Sequence, residues 1–202
     1  MLAFKAMPTR RQLHSLTKFP IKVTLRPTPG AGNRQKKKSK TKMTNTALSA
    51  NSDVRVRPVR KEDFETWQDL WQGYNAFYGR HGETALPAGI TDMTWSRFFD
   101  AYEPVHALVA ERDGQLVGLA HFLFHRSTTQ IAPNCYLQDL FTAASSRGLG
   151  VARKLIEEVY LQAKAAGSGR VYWQTHETNT TAMALYDKVA EKSGFVVYRK
   201  LL

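Results

Sequence analysis

The chain has a single cysteine, Cys135, among 202 residues. An internal disulfide framework is therefore excluded, and a cysteine-built metal site has no second ligand of its kind. Cys135 falls in an apolar run and reads as a small buried hydrophobe rather than a nucleophile. No apolar run reaches the ~18–20 residues that a membrane-spanning helix needs. Asp and Glu are absent from residues 1–52, which carry twelve Lys and Arg. The other seventeen basic residues (29 − 12) and all seventeen acidic ones lie in 53–202, so that part is formally neutral. The net charge of +12 thus belongs to the first segment, and the basic pI of the whole chain is no argument for nucleic-acid binding.

Residues 1–52 also hold four of the eight prolines, a Pro29-Gly30-Ala31-Gly32 stretch and a basic run from Arg34 to Lys42. They lack sustained apolar periodicity, so disorder is expected. Three readings of the segment are open. An acid-poor, Arg-bearing composition suits an organelle transit peptide. The Lys36-Lys37-Lys38-Ser39-Lys40 run could bind an anionic polymer, though such runs are usually only solvated. The favoured reading is a start site assigned too early, with Met43 opening a short polar leader. Residues 53–202 form one domain; a chain that is 43% hydrophobic suits a full core. A cytoplasmic protein is expected.

Alternation of Val54 and Val56 predicts a first strand over 53–59. Phe64, Trp67, Leu70, Trp71, Tyr74, Phe77 and Tyr78 recur at helical spacing, with Gly79 and Gly82 beyond them. Thr91 is placed as the cap of a second, short helix carrying Trp95. Strands are expected over 106–111 and 115–126, joined at Asp113-Gly114. A fourth strand covers 135–142, a helix 148–166, a strand 170–175, a helix 179–192 and a last strand 195–201. The order is β-α-α-β-β-β-α-β-α-β, a mixed α/β sheet with helices on both faces.

The junction after the fourth strand is the most telling stretch. A helix is expected to open on Arg147-Gly148-Leu149-Gly150-Val151-Ala152, where unpaired amides and the helix dipole suit a phosphate. No Lys-Ser/Thr follows the glycines, which argues against a P-loop. Arg153 occupies the third glycine position of a dinucleotide fingerprint, which argues against that fold. Arg147, Gly150 and Ala152 do meet the pattern Arg/Gln-x-x-Gly-x-Gly/Ala. Around them stand Tyr136-Leu137-Gln138-Asp139-Leu140-Phe141, then Trp173-Gln174-Thr175, then Asn179-x-x-Ala182-x-x-Leu185-Tyr186. In order and spacing, residues 54–202 resemble the GNAT superfamily of N-acetyltransferases, most closely its polyamine, diamine and Hpa-type branch.

That resemblance implies a fold in which two central strands splay apart around the pantetheine arm of acetyl-CoA. It implies transfer of the acetyl group directly to a primary amine of a small molecule: a polyamine, a diamine or an amino acid. Arg147, Gly148, Leu149, Gly150, Val151 and Ala152 would bind the pyrophosphate. Leu140, Phe141 and Thr142 would serve the pantetheine and the carbonyl through their backbone, and Asn179 would bond the arm. Tyr186 would be the general acid at the sulfur. The general base is open. Gln138 stands where polyamine enzymes often have glutamate, so Asp139 or Glu177 through a water, His125, or solvent remain. Tyr74, Tyr78, Trp95, Arg126 and Gln138 are the expected acceptor-pocket liners. No metal is expected, and a homodimer exchanging the last strand is considered. A protein-lysine or N-terminal acetyltransferase, a non-catalytic acyl-CoA sensor and, distantly, a nucleic-acid-binding protein are the alternatives.

Overall fold

A computed structural model describes residues 53–87 and 89–202. The expectations about residues 1–52, including the Met43 start, lie outside the described residues. The elements are β1 (Arg55–Pro58), α1 (Phe64–Phe77), α2 (Ile90–Arg97), β2 (Val105–Arg112), β3 (Gln115–His125), β4 (Asn134–Thr142), α3 (Val151–Ala165), β5 (Val171–Tyr172) and α4 (Thr180–Tyr186). They build one sheet in the order β1-β2-β3-β4-β5. The first four strands run antiparallel and β5 pairs parallel with β4. A turn with positive φ at both Asp113 and Gly114 joins β2 to β3, as the dipeptide foretells.

Period-2 alternation divides β3 between two cores. Ala120 and Phe122 face α3, where they pack with Leu155, Ile156 and Val159. Leu119 faces α1 and joins Trp67, Leu70, Trp71 and Tyr74. The apolar stripe of α1 thus becomes a buried aromatic layer. Its entry is clamped by Arg57 on β1, which bonds both carboxylate oxygens of Asp63 (2.7 and 2.9 Å) and Glu111 on β2 (2.9 Å).

The β3–β4 ladder carries one irregularity that matters for the site. His121 pairs with Asp139 and Phe122 with Leu137, so Gln138 is an extra residue without a partner on β3. In a regular strand 137 and 139 would share a face. Here Leu137 packs into the α3-side core while Asp139 meets His121 on the α1 side. Further along, α3 comes close to β3. A Cβ on Gly118 would lie 2.8 Å from a methyl of Val151 and from the Phe141 carbonyl, so only glycine admits that approach.

Five expectations need correction. α3 begins at Val151, not at 147 or 148, because Gly148 and Gly150 take φ of 78° and 80° and a short 3-10 turn (Ala144–Ser146) fills the approach. Thr91 is not a cap; it lies inside α2, which is preceded by Gly89 in the left-handed region. β5 stops at Tyr172, and α4 at Tyr186. Residues 195–201 form no strand, and Phe195, Val196, Tyr198 and Leu201 stand exposed. The sequence order therefore holds except for its final element.

Candidate active site

A cavity of about 620 Å³ opens beside β4. Its walls come from α1, β4, the loop into α3, the segment after β5, and α4. Of the residues named from sequence, it gathers Tyr74 and Tyr78, Gln138, Leu140, Phe141 and Thr142, Arg147 and Gly148, Gly150 to Ala152, Asn179 and Tyr186.

At the α3 end the backbone is laid open. The first amide of the helix to find a carbonyl is that of Lys154, which donates to Gly150 at 3.0 Å. The amides of the opening turn before it have no intrahelical acceptor and point out with the positive end of the dipole. Left-handed Gly148 and Gly150 shape the loop in front, and no protein atom lies within 4 Å of where their Cβ would be. Beside this, the Thr142 hydroxyl is buried in the cavity wall with no partner among the described residues. An unsatisfied buried hydroxyl marks a place for a ligand's hydrogen bond.

At the α4 end, Tyr186 sits edge-on to Trp173, their ring centres 5.3 Å apart. Burial, with a smaller contribution from Tyr78, pushes the Tyr186 phenol up to about 12. It keeps its proton at neutral pH. Asn179 holds the N-cap position of α4 without a side-chain cap bond; its side-chain amide donates instead to the Thr175 hydroxyl at 3.2 Å.

Deeper than Tyr74 lies a polar chain of Trp67, His121 and Asp139, of which only Asp139 is among the site residues expected from sequence. Trp67 donates from Nε1 to Nε2 of His121 at 3.0 Å. Nδ1 of His121 lies 3.0 Å from Oδ2 of Asp139. The Tyr74 phenol is raised well above its ordinary range, first by burial, then by the charge and hydrogen-bonding of Asp139 beside it. His121 is 2% exposed and Asp139 9%, so this is an interior chain, and neither residue lines the cavity. Nothing local marks His121, since its partners come from α1 and β4.

Other named residues lie elsewhere. His125 donates from Nδ1 to the Arg126 carbonyl and accepts at Nε2 from the Tyr172 phenol, both at 2.9 Å; neither His125 nor Arg126 lines the cavity. Trp95 packs among Phe64, Trp67 and Phe99. Leu149 and Glu177 are exposed and outside the lining, and Asp139 stands one layer behind it. Cys135 is fully buried, and burial raises its thiol to about 11, away from nucleophilic use.

The profile of the acetyltransferase (GNAT) family matches residues 64–190. The chain belongs to the GNAT acetyltransferase family. It is similar to the D-amino-acid N-acetyltransferase HPA3 of Saccharomyces cerevisiae, with 34% identity over 152 residues, 74% of this chain and 92% of that protein. Two solved structures share the fold. One is the ribosomal-protein-alanine N-acetyltransferase from Brucella melitensis biovar Abortus 2308, with a TM-score of 0.61 and 19% identity over 74% of this chain and 99% of that one. The other is the aminoglycoside N-acetyltransferase AAC(6')-Iy in complex with CoA, with a TM-score of 0.63 and 19% identity over 76% and 98%. As a GNAT member the protein is an N-acetyltransferase whose acetyl donor is acetyl-CoA. The open amides of the first turn of α3 and the orphaned Thr142 hydroxyl fit such a donor. Among the described residues no helix is long and apolar enough to cross a membrane.

Proposed function

We propose that this acetyltransferase acts on the primary amine of a small molecule, an amino acid by preference. One observation carries the reading: a single cavity is lined both by the open amides at the start of α3 and by the Tyr186 phenol. Acetyl-CoA supplies the activated acyl group when bound. In this reading the backbone of 147–152 grips its diphosphate, and Thr142 and Asn179 bond the arm. The backbone of Leu140 and Phe141 orients the carbonyl. Tyr186 holds a proton at its phenol oxygen and offers it to the departing sulfur. Holding both reactants in line supplies much of the acceleration, and no covalent link to the protein is required.

The amino-acid preference rests on two supports. HPA3 is named for D-amino-acid acetylation. Arg80 holds its guanidinium over the rings of Tyr74 and Tyr78, 5.5 and 5.3 Å from their centres, while its Nε donates to Asn75 at 2.7 Å. No carboxylate among the described residues pairs with Arg80, which leaves it for the carboxylate of an acceptor. The test is thiol release from acetyl-CoA against a panel of amines, amino acids of both hands, and peptides. Turnover of peptides alone would replace this reading by a protein acetyltransferase.

One observation favours a second reading. No Asp, Glu or His lines the cavity, and Gln138 takes the place of an acid. A non-catalytic acyl-CoA sensor would bind the donor in calorimetry yet release no thiol with any acceptor. A homodimer belongs to the proposal as well: a second copy would cover the exposed apolar residues between Phe195 and Leu201. Sedimentation of the full chain as a monomer would remove that part. A cytoplasmic location is likewise proposed, and fractionation of cells expressing the tagged chain tests it.

A further inference from the structure

Gly73 stands in the interior of α1, where glycine is a poorer helix former than alanine. Its backbone is ordinary helix, so no left-handed φ calls for glycine there. What calls for it is the ring of Phe141 on β4. A Cβ on Gly73 would lie 2.8 Å from Cζ of Phe141 and 3.0 Å from Cε1. Glycine is thus the residue that lets this ring lie against the helix backbone. The ring packs on the α1-side aromatic layer, yet Phe141 is only partly buried and belongs to the cavity wall. Tyr74, Phe77 and Tyr78 line the same cavity from α1. Phe77 meets Tyr78 edge to face and Tyr78 leans on Tyr74, both at 5.1 Å between ring centres. Phe77 is 57% exposed and Tyr78 44%. Large apolar surface left open in a groove is a place for a ligand to cover. A cationic side chain is a poor candidate for that cover. Among the described residues no carboxylate lines the cavity, and the Arg80 guanidinium already stands over the Tyr74 and Tyr78 rings.

We propose that the acceptor carries a bulky apolar side chain, that this side chain lies between the α1 aromatics and the Phe141 ring, and that Gly73 sets the width of the slot. Trp67, Leu70 and Trp71 hold the inner side of α1 and are all buried, so the helix cannot retreat without opening a close-packed core. A methyl added at position 73 therefore moves the ring, which is the far end of a side chain and not backbone. The layer beneath the ring is closed, with Trp67 and Leu119 wholly buried. The cavity is the open side, and a ring displaced into it narrows the slot. Gly73 touches no substrate; it is a positioning residue that acts through Phe141. This inference rests on the amino-acid reading above, in which Arg80 takes the carboxylate and the slot takes the side chain of the same α-carbon. A small side chain such as that of alanine stops short of the ring, whereas that of phenylalanine reaches it.

The test pairs kinetics with melting, so that the slot and the acetyltransferase reading can fail separately. With the full chain and acetyl-CoA, kcat/KM for phenylalanine, of the hand that turns over, should exceed that for alanine by about tenfold or more. Gly73→Ala should raise KM for phenylalanine by about tenfold with kcat held within about threefold, and leave both constants for alanine within about twofold. Equal losses on the two acceptors, or no loss on either, overturn the proposal. So does a wild type that prefers alanine or lysine to phenylalanine. In the Phe141→Leu background the ring is gone, and Gly73→Ala should no longer change the ratio of phenylalanine to alanine. A ratio that falls as far without the ring as with it overturns the proposal too. Melting needs no turnover. Gly73→Ala should lower the melting temperature of the wild type and raise that of Phe141→Leu, where only the better helix propensity is left. The same shift in both backgrounds would show that Gly73 does not seat the ring and overturns the proposal. A wild type that releases no thiol with any acceptor, with the melting result as expected, defeats the acetyltransferase reading and the use of the slot with it. A wild type equally active on all acceptors defeats the slot alone.

Discussion

Trp67 and His121 meet through a 3.0 Å hydrogen bond that crosses from α1 to β3 and settles which imidazole nitrogen is bare. Two residues 54 positions apart thereby fix which ring nitrogen of His121 is turned, with its hydrogen, to Asp139. The indole also stacks with Trp71, at 5.9 Å between ring centres and 12° between planes. The aromatic layer is therefore both a packing core and the frame of a polar chain.

Tyr186→Phe should cut kcat by about 100-fold, with little change in donor affinity measured by calorimetry. In the wild type, burial raises the phenol, so its protonated form persists to higher pH than usual. With a value of about 12, no alkaline loss of rate from Tyr186 should appear below about pH 10. A rate insensitive to the substitution would remove Tyr186 from the chemistry.

Gly150→Ala tests the loop. No atom obstructs a Cβ there, but φ is 80°. The penalty is conformational, about 1–2 kcal/mol. A modest drop in melting temperature is expected, with donor affinity weakened by about tenfold as the loop relaxes out of its left-handed shape. Unchanged affinity would show that the amides of this turn do not hold the diphosphate.

Arg80→Gln separates amino acids from plain amines. KM for an amino acid should rise by about tenfold or more, while the matching decarboxylated amine is unaffected. Equal effects on both acceptors would mean that Arg80 only props the Tyr74 and Tyr78 rings.

Asp63→Asn should destabilise the fold by about 2 kcal/mol, read by urea unfolding, because the nearly buried Arg57 loses its two-pronged carboxylate partner and keeps only Glu111. The pH dependence follows from the direction of the shift. The Arg57 hydrogen bonds hold the Asp63 carboxyl below its ordinary 3.8. Its contribution is present in full above that value and fades as pH falls through the lowered one. The variant should lose this acid-dependent part of the unfolding curve.

Local patterns carried much of the fold. The helical stripe from Phe64 to Tyr78, the Asp113-Gly114 turn and the glycines before α3 each encode their geometry within a few residues. So do most of the positions from 140 to 152 proposed to hold the donor, which line one cavity with Tyr186. Three features were beyond such reading. The start of α3 depends on two left-handed glycines, Gly148 and Gly150, and the pattern alone does not say that both turn out of the helix. The Gln138 bulge depends on how β4 pairs with β3, a matter of register between chain segments. His121 acquires its role from Trp67 and Asp139, both distant in sequence. Residues 195–201 alternate like a strand, yet a strand needs a partner, and among the described residues none pairs with them.

Because Gln138 answers to no residue across the ladder while its side chain reaches the cavity, it is the one place on β4 where substrate-facing chemistry can change and the sheet need not notice. Replacing it with glutamate would put a first carboxylate into the chamber wall while every paired position of the ladder stays as it is.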